Sequence, residues 1–172
     1  MDELNNLKTR LENSKSLNEA EVIDEIFDLL IIAYMNGNKA ANFDLSSDYE
    51  IETDNLQNAI YHKIEGMDFA DRIREHIKNG DSIEDIFRVA DTETHRVYNT
   101  ALFDVAEISG ANKTWVTMMD EKVRETHAFL EGVTIPWDER FYTYDGDSAE
   151  FPGGFELASN NVNCRCEIVL TK

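Results

Sequence analysis

Cys164 and Cys166 stand one residue apart in the closing stretch Asn-Val-Asn-Cys-Arg-Cys-Glu-Ile-Val-Leu, and they are the only cysteines among 172 residues. Alternate residues of a strand point to one face, so a strand here sets the two sulfurs side by side. Such a pair can ligate a metal, act as a redox couple, or fill a core as two small apolar groups. A Cys-x-Cys disulfide closes a very small, strained ring. The N-terminus Met-Asp-Glu-Leu-Asn-Asn also has no basic region followed by an apolar run, which points to synthesis where thiols stay reduced. His127 and His95 supply imidazoles, and two thiolates with one or two imidazoles make a tetrahedral zinc site. Structural zinc sites, however, usually place about two to four residues between their cysteines. Free cysteine is among the most buried residue types. The one-residue spacing therefore favours packing, with Cys164 and Cys166 anchoring the last strand against the helix that carries His127, Arg165 facing away, and no cofactor. Zinc is the alternative.

Arg124 and His127 lie three apart, on one face if the segment is helical. That pair could serve a small ribonuclease, His127 exchanging a proton and Arg124 holding an anion. A single such pair without a further titrating partner at defined spacing is weak evidence for catalysis. A structural role, with Arg124 paired to Asp120 or Glu121 and His127 hydrogen-bonded in the interior, accounts for both residues more simply. Glu93, Arg96 and Asn99 share a helical face and read as a clamp from helix to sheet, in which strand carbonyls and an acid satisfy the five donors of Arg96. Trp115, Phe141 and Tyr144 read as core or rim aromatics.

Two textures of chain must position these residues. Up to Gly110, apolar residues recur at three- and four-residue steps. Ser16-Leu17-Asn18-Glu19 has the form of a capping box. The helix it opens carries Val22, Ile23, Ile26, Phe27, Leu30 and Ile31, an apolar arc wide enough to need cover on two sides, and stops near Gly37. Residues 38–54 read as a polar loop. Leu56, Ile60 and Ile64 mark the next helix, and Phe69, Ile73 and Ile77 a short one ending at Gly80. Ser82, followed by Glu84 and Asp85, caps a long amphipathic helix to Ser109. Beyond Gly110, Lys113–Met118 reads as a strand and Glu121–Leu130 as a helix ending at Gly132. Short β-like runs then alternate with Asp145-Gly146-Asp147 and Pro152-Gly153-Gly154 turns. The fold class is α+β: a mostly helical N-terminal part, residues 1–90, followed by a small mixed α/β module, residues 91–172, with a few short strands.

A net charge of −19, from 16 basic and 35 acidic residues, repels phosphate backbones and excludes strong duplex DNA binding as the main activity. The apolar run 26–35 is broken by Asp28 and is too short to span a bilayer, so no membrane partner is expected.

From Glu93-Thr94-His95-Arg96-Val97-Tyr98-Asn99 onward, the string continues through Lys113-x-Trp115 and Asp120-x-x-Val123-Arg124-x-x-His127-x-x-Leu130-x-Gly132. It closes with Phe141, the Pro152-Gly153-Gly154 turn and Asn163-Cys164-Arg165-Cys166. In this order the residues resemble the phage Mu F-like head morphogenesis family, the minor head proteins of tailed bacteriophages. Gly154 stands where the family's turn commonly carries an acid, so no role for that acid passes to this chain. The resemblance implies an acidic virion-assembly protein made in the host cytoplasm and carried in the virion head, at the portal vertex or capsid interior. It would act during procapsid assembly and DNA packaging or delivery. Its partners would be portal, scaffold or capsid protein, with the N-terminal helices as the docking part. A toxin-like or nuclease-like phage-encoded module using His127 and Arg124 is the competing reading.

Overall fold

The computed structural model describes residues 2–13 and 18–172. Ser16 and Leu17, the first half of the predicted capping box, lie outside the described residues. The N-cap of the helix they precede is Asn18, whose side chain accepts from the Ala20 amide.

The helical layer comprises α1 (Asp2–Asn13), α2 (Glu19–Leu45), α3 (Thr53–Ile60), α4 (Phe69–Asn79) and α5 (Ile83–Ser109). In each, apolar residues three and four apart place a stripe on one side, and that stripe is buried. In α2 it runs Val22, Ile26, Leu30, Ala33, Tyr34, Gly37, Ala41, Leu45. In α5 it includes Ile86, Val89, Ala90, Val97, Ala101, Leu102 and Val105. The two helices lie along each other. Their first halves, with α1, α3 and α4, enclose a core around Leu7, Ile26, Leu30, Phe69, Ile73 and Val97.

The helix α2 does not stop at Gly37, because this glycine is a contact rather than a cap. A Cβ there would meet the Tyr98 carbonyl oxygen at 2.3 Å and the Ala101 Cβ at 2.9 Å. Only a missing side chain lets the two backbones approach so closely. The helix ends instead at Ser46, in the left-handed conformation with φ 50, and the predicted loop shrinks to the residues between there and α3. Ile64 falls beyond α3, in an isolated bridge to Met67. Elsewhere the local signals hold: Ser82 and Asp85 form a reciprocal capping box, and Gly80 and Gly110 terminate α4 and α5 in left-handed geometry.

The C-terminal module hangs on α5. Three antiparallel strands, β1 (Asn112–Val116), β2 (Thr134–Ile135) and β5 (Glu167–Thr171), run in the order β2-β1-β5, and a ribbon of β3 (Phe141–Tyr142) and β4 (Ser148–Ala149) stands apart. Trp115 is opposite Ile168 and Lys113 opposite Leu170. These four side chains enter a second core, with Ala41 and Leu45 of α2 and Leu102 and Val105 of α5 on its far side. The expected boundary between the two parts, at residue 90/91, lies inside α5, which serves both cores, while the change of sequence character at Gly110 coincides with the end of that helix.

The predicted helix 121–130 contracts to α6 (Glu125–Ala128). Asp120 starts a tight turn instead: its carboxylate accepts from the Lys122 amide and its carbonyl from the Val123 amide. A second short helix, α7 (Ala158–Asn161), precedes the cysteine segment.

Candidate functional site

Asn163, φ 58, turns the chain out of α7 in the left-handed conformation that Asn tolerates better than most residues. The extended segment that follows delivers Cys164 and Cys166 inward and Arg165 outward. Both thiols are buried and reduced, but they precede β5 rather than lying within it. Opposite them α6 presents His127, 1% exposed. Its Nδ1 lies 3.6 Å from the Cys164 sulfur and 3.6 Å from the Cys166 sulfur, and the three donor atoms all fall within 4.8 Å of one another. The imidazole stacks on Phe155 at 5.2 Å and meets Trp115 edge-on at 5.4 Å, so its plane is fixed. His127 Nε2 and Trp115 Nε1 are buried without a hydrogen-bond partner.

The two thiols influence each other strongly. A hydrogen bond from Cys166 and the nearby His127 pull the Cys164 thiol well down, against the cost of its burial. Cys164 in turn, together with burial, pushes Cys166 up. The first proton leaves the pair easily and the second does not. His95, a candidate fourth ligand by sequence, is absent from the cluster; among the described residues only His127, Cys164 and Cys166 gather their donors this way.

Arg124 caps α6 and donates to the Val162 carbonyl, pinning the approach to the cysteines. It does not pair with Asp120 or Glu121, as the sequence led us to expect. Asp120 is taken by Arg165, in a two-pronged bond of 2.7 and 2.8 Å across the surface. Arg124 and His127 face a pocket of only about 10 Å³, shared with Cys166 and Asn163. That is space for one water molecule, not for a nucleotide.

The Glu93–Arg96–Asn99 face divides its labour differently from the expected clamp. Arg96 is buried and donates to Glu93 at 2.8 and 3.0 Å and to the Ala59 carbonyl of α3 at 2.7 Å, so it ties helix to helix. Arg72 Nη2 lies 2.9 Å from the other Glu93 oxygen and forms an ion pair with it. Burial alone would raise the Glu93 carboxyl; the Arg96 and Arg72 guanidiniums outweigh it and hold it below the ordinary range. The link to the sheet comes from Asn99: its amide donates to the Cys166 carbonyl at 3.1 Å and its oxygen accepts from the Ile168 amide at 3.0 Å. Asp44 of α2 accepts from the Leu170 amide at 3.0 Å, so side chains from two helices seal the outer edge of β5. At Gly153, φ +94, a Cβ would come within 3.0 Å of the Arg96 Cβ, which explains a glycine in the 152–154 turn.

Trp115 and Phe141 are core residues and Tyr144 is exposed; Gly132 takes φ 73 in the turn into β2. Sequence reasoning missed four buried polar residues. Asn161 bonds both the amide and the carbonyl of Phe155. Asn160 joins Asp147 and Asp145, and the Asp147 carboxylate also accepts from the Glu156 and Leu157 amides. Lys113 is wholly buried, its amine donating to the Trp137 carbonyl at 2.8 Å over the Phe103 ring, and desolvation lowers its pKa to about 8. The Asn-Asn pair just before the cysteines and the Asp-Gly-Asp turn were the available signals.

The family model described as phage Mu protein F like protein matches residues 51–169. A stretch of 93 residues, 51% of this chain, is 36% identical to the NAD(+)--arginine ADP-ribosyltransferase EFV of Enterococcus faecalis and covers 19% of that protein. A stretch of 84 residues, 46% of this chain, is 32% identical to the minor head protein GP7 of Bacillus phage SPP1 and covers 27% of it. The matches thus span about a fifth and about a quarter of the two relatives. No solved structure matches.

Proposed function

The chain belongs to the phage Mu protein F-like family, and on that premise we propose that it is a bacteriophage minor head protein. In this reading it acts structurally in head morphogenesis, at the portal vertex or capsid interior, while the procapsid assembles and DNA is packaged or delivered. It is made in the host cytoplasm and ends in the virion head. The observation that carries the reading is the family match across 51–169 together with the likeness to a minor head protein. The geometry supports a structural role. Arg124 and His127 are engaged in backbone and core contacts around a pocket of about 10 Å³, so these two groups do not meet in an open cleft.

The docking part is the helical layer, and the partner is the portal protein. On α2, Phe43 is 85% exposed and Met35 53% exposed, large apolar side chains left open among the described residues. Because α2 also supplies both cores, the test uses point changes rather than truncation. Wild-type protein should co-sediment with assembled portal, and Met35→Asp with Phe43→Asp should abolish this while leaving the circular dichroism spectrum unchanged. Undiminished portal binding by the double variant sinks the docking face, and co-sedimentation with scaffold or capsid protein alone sinks the portal assignment. Duplex DNA should bind no tighter than micromolar at physiological salt, given the charge of −19. Among the described residues no helix is long and apolar enough to cross a membrane.

The likeness to an ADP-ribosyltransferase supports a second reading, a toxin-like enzyme module. The match covers 19% of that protein, so most of the transferase has no counterpart in this chain. Absence of label transfer from NAD to arginine-rich protein would disfavour the enzymatic reading, and transfer lost in His127→Ala would favour it.

A further inference from the structure

We propose that His127, Cys164 and Cys166 form a binding site for a thiophilic divalent cation, zinc above all, with a single water completing the coordination. The proposal rests on side-chain geometry alone and is independent of the role in the head.

Zinc holds thiolate sulfur at about 2.3 Å and imidazole nitrogen at about 2.0–2.1 Å, and at the tetrahedral angle those lengths set sulfur and nitrogen about 3.6 Å apart. Both sulfurs stand 3.6 Å from His127 Nδ1. The agreement occurs twice, on one nitrogen. Without a metal the arrangement serves the two thiols unequally: neutral Nδ1 has one lone pair and takes one good S–H hydrogen bond, and the second thiol at the same distance turns to the first instead. A cation between the three atoms satisfies all of them at once.

The surroundings match the chemistry. A divalent ion with two thiolates is neutral overall, so it can sit in a buried site without leaving a net charge uncompensated. Each thiol releases its proton to solvent as the metal enters. The ligands come from two rigid supports. His127 is clamped between Phe155 and Trp115, and the cysteine segment is fixed by Asn99 on the Cys166 carbonyl and by the Asn161 carbonyl accepting from the Cys164 amide. The pocket of about 10 Å³ opens beside His127 and Cys166 and has the size of the one water that a three-ligand site needs. The one-residue spacing, which the sequence set against zinc, places both sulfurs on the same side of an extended segment.

The test is a cobalt(II) titration of the metal-free 172-residue chain under reducing conditions, followed by displacement with zinc, alongside elemental analysis of protein purified without a metal-affinity column. The expected result is one cobalt per chain with the strong charge-transfer absorption of thiolate–cobalt bonds and intense tetrahedral d–d bands, both removed by one equivalent of zinc. Cys164→Ser, Cys166→Ser and His127→Ala should each weaken zinc by more than about 100-fold, beyond the 10–100-fold typical of outer partners. His95→Ala, outside the cluster, should leave the affinity unchanged. Wild-type chain that takes up no cobalt, or takes it up with the weak spectrum of an oxygen-ligated ion, overturns the proposal, as does zinc affinity equal in the cysteine variants and wild type. The cobalt spectrum is read on wild-type chain, so it decides for or against the site even where a variant fails to fold.

Discussion

Asn99→Ala is the sharpest probe of how the helical layer holds the cysteine segment. Asn99 is fully buried and its side chain makes two bonds to the β5 region: it donates to the Cys166 carbonyl at 3.1 Å and accepts from the Ile168 amide at 3.0 Å. Alanine removes both partners and leaves two backbone groups inside the protein. Each buried group without a partner costs about 1–3 kcal/mol, for a sum of roughly 2–6 kcal/mol. A water entering the vacated space, which is polar and about the right size, would recover part of this. The expected loss is about 3 kcal/mol, and at about 2–4 °C per kcal/mol for a chain of this length the melting temperature falls by roughly 6–12 °C. Urea denaturation followed by circular dichroism measures the total. Hydrogen exchange locates it, because the Ile168 amide should lose protection while the amides of α4 keep theirs. Asn99→Leu separates hydrogen bonding from shape, since leucine fills the volume yet leaves the same groups unpaired. Stability within about 0.5 kcal/mol of wild type for Asn99→Ala, or a leucine variant as stable as wild type, would mean that these two bonds do not hold the segment.

Two further changes test other parts of the structure. Gly37→Ala gains about 1 kcal/mol of helix propensity, but its methyl would press on the Tyr98 carbonyl at 2.3 Å; separating α2 from α5 costs about 1–3 kcal/mol or more, so thermal melts should show a net loss, and a variant as stable as wild type would mean the crossing is looser than described. Lys113 is held near pKa 8 by burial while the unfolded chain keeps its proton to about 10.4, so between those values the unfolded state binds more protons and stability rises with pH, by up to about 3 kcal/mol; Lys113→Met should flatten that rise and be the more stable protein at pH 7, and parallel pH profiles for the two proteins would dismiss the assignment.

The sequence disclosed most where a signal is local. Ser82 with Asp85, Gly80 and Gly110 mark helix ends because capping is decided within four residues, and all three ends fall where these residues place them. It misled where one residue type serves two ends. Gly37 looked like a helix stop because a glycine that ends a helix and one that lets two helices touch are identical in sequence; the Tyr98 carbonyl that decides between them lies far along the chain. The helix predicted over 121–130 failed for a similar reason, since Asp120 capping its own turn cuts the helix to Glu125–Ala128. For the candidate site, the members were legible and the pairings were not. Cys164, Cys166 and His127 were singled out together, but their equal distances depend on the left-handed turn at Asn163 and on the ring stack with Phe155. Likewise charge alone paired Arg124 with Asp120 or Glu121, and only the fold assigned Asp120 to Arg165.

The sealed outer edge of β5 also sets an order of events in biosynthesis. Its bonds to Asn99 and Asp44 join residues 69 and 126 positions apart. The helical layer can collapse as soon as α5 has emerged from the ribosome, because its core draws only on residues up to Ala101. The second core then waits, with Trp115 and the C-terminal half of α5 uncovered, until the segment from Cys164 to Leu170 has been made. That segment closes the sheet, its lateral seal and the thiol cluster in one step. Contacts of such long sequence separation form slowly because chain entropy must be lost before they give anything back. Nascent chains in the interval expose an unfinished sheet edge and two reduced cysteines, so crowding of partly made chains, rather than instability of the finished fold, is where this protein is most open to aggregation.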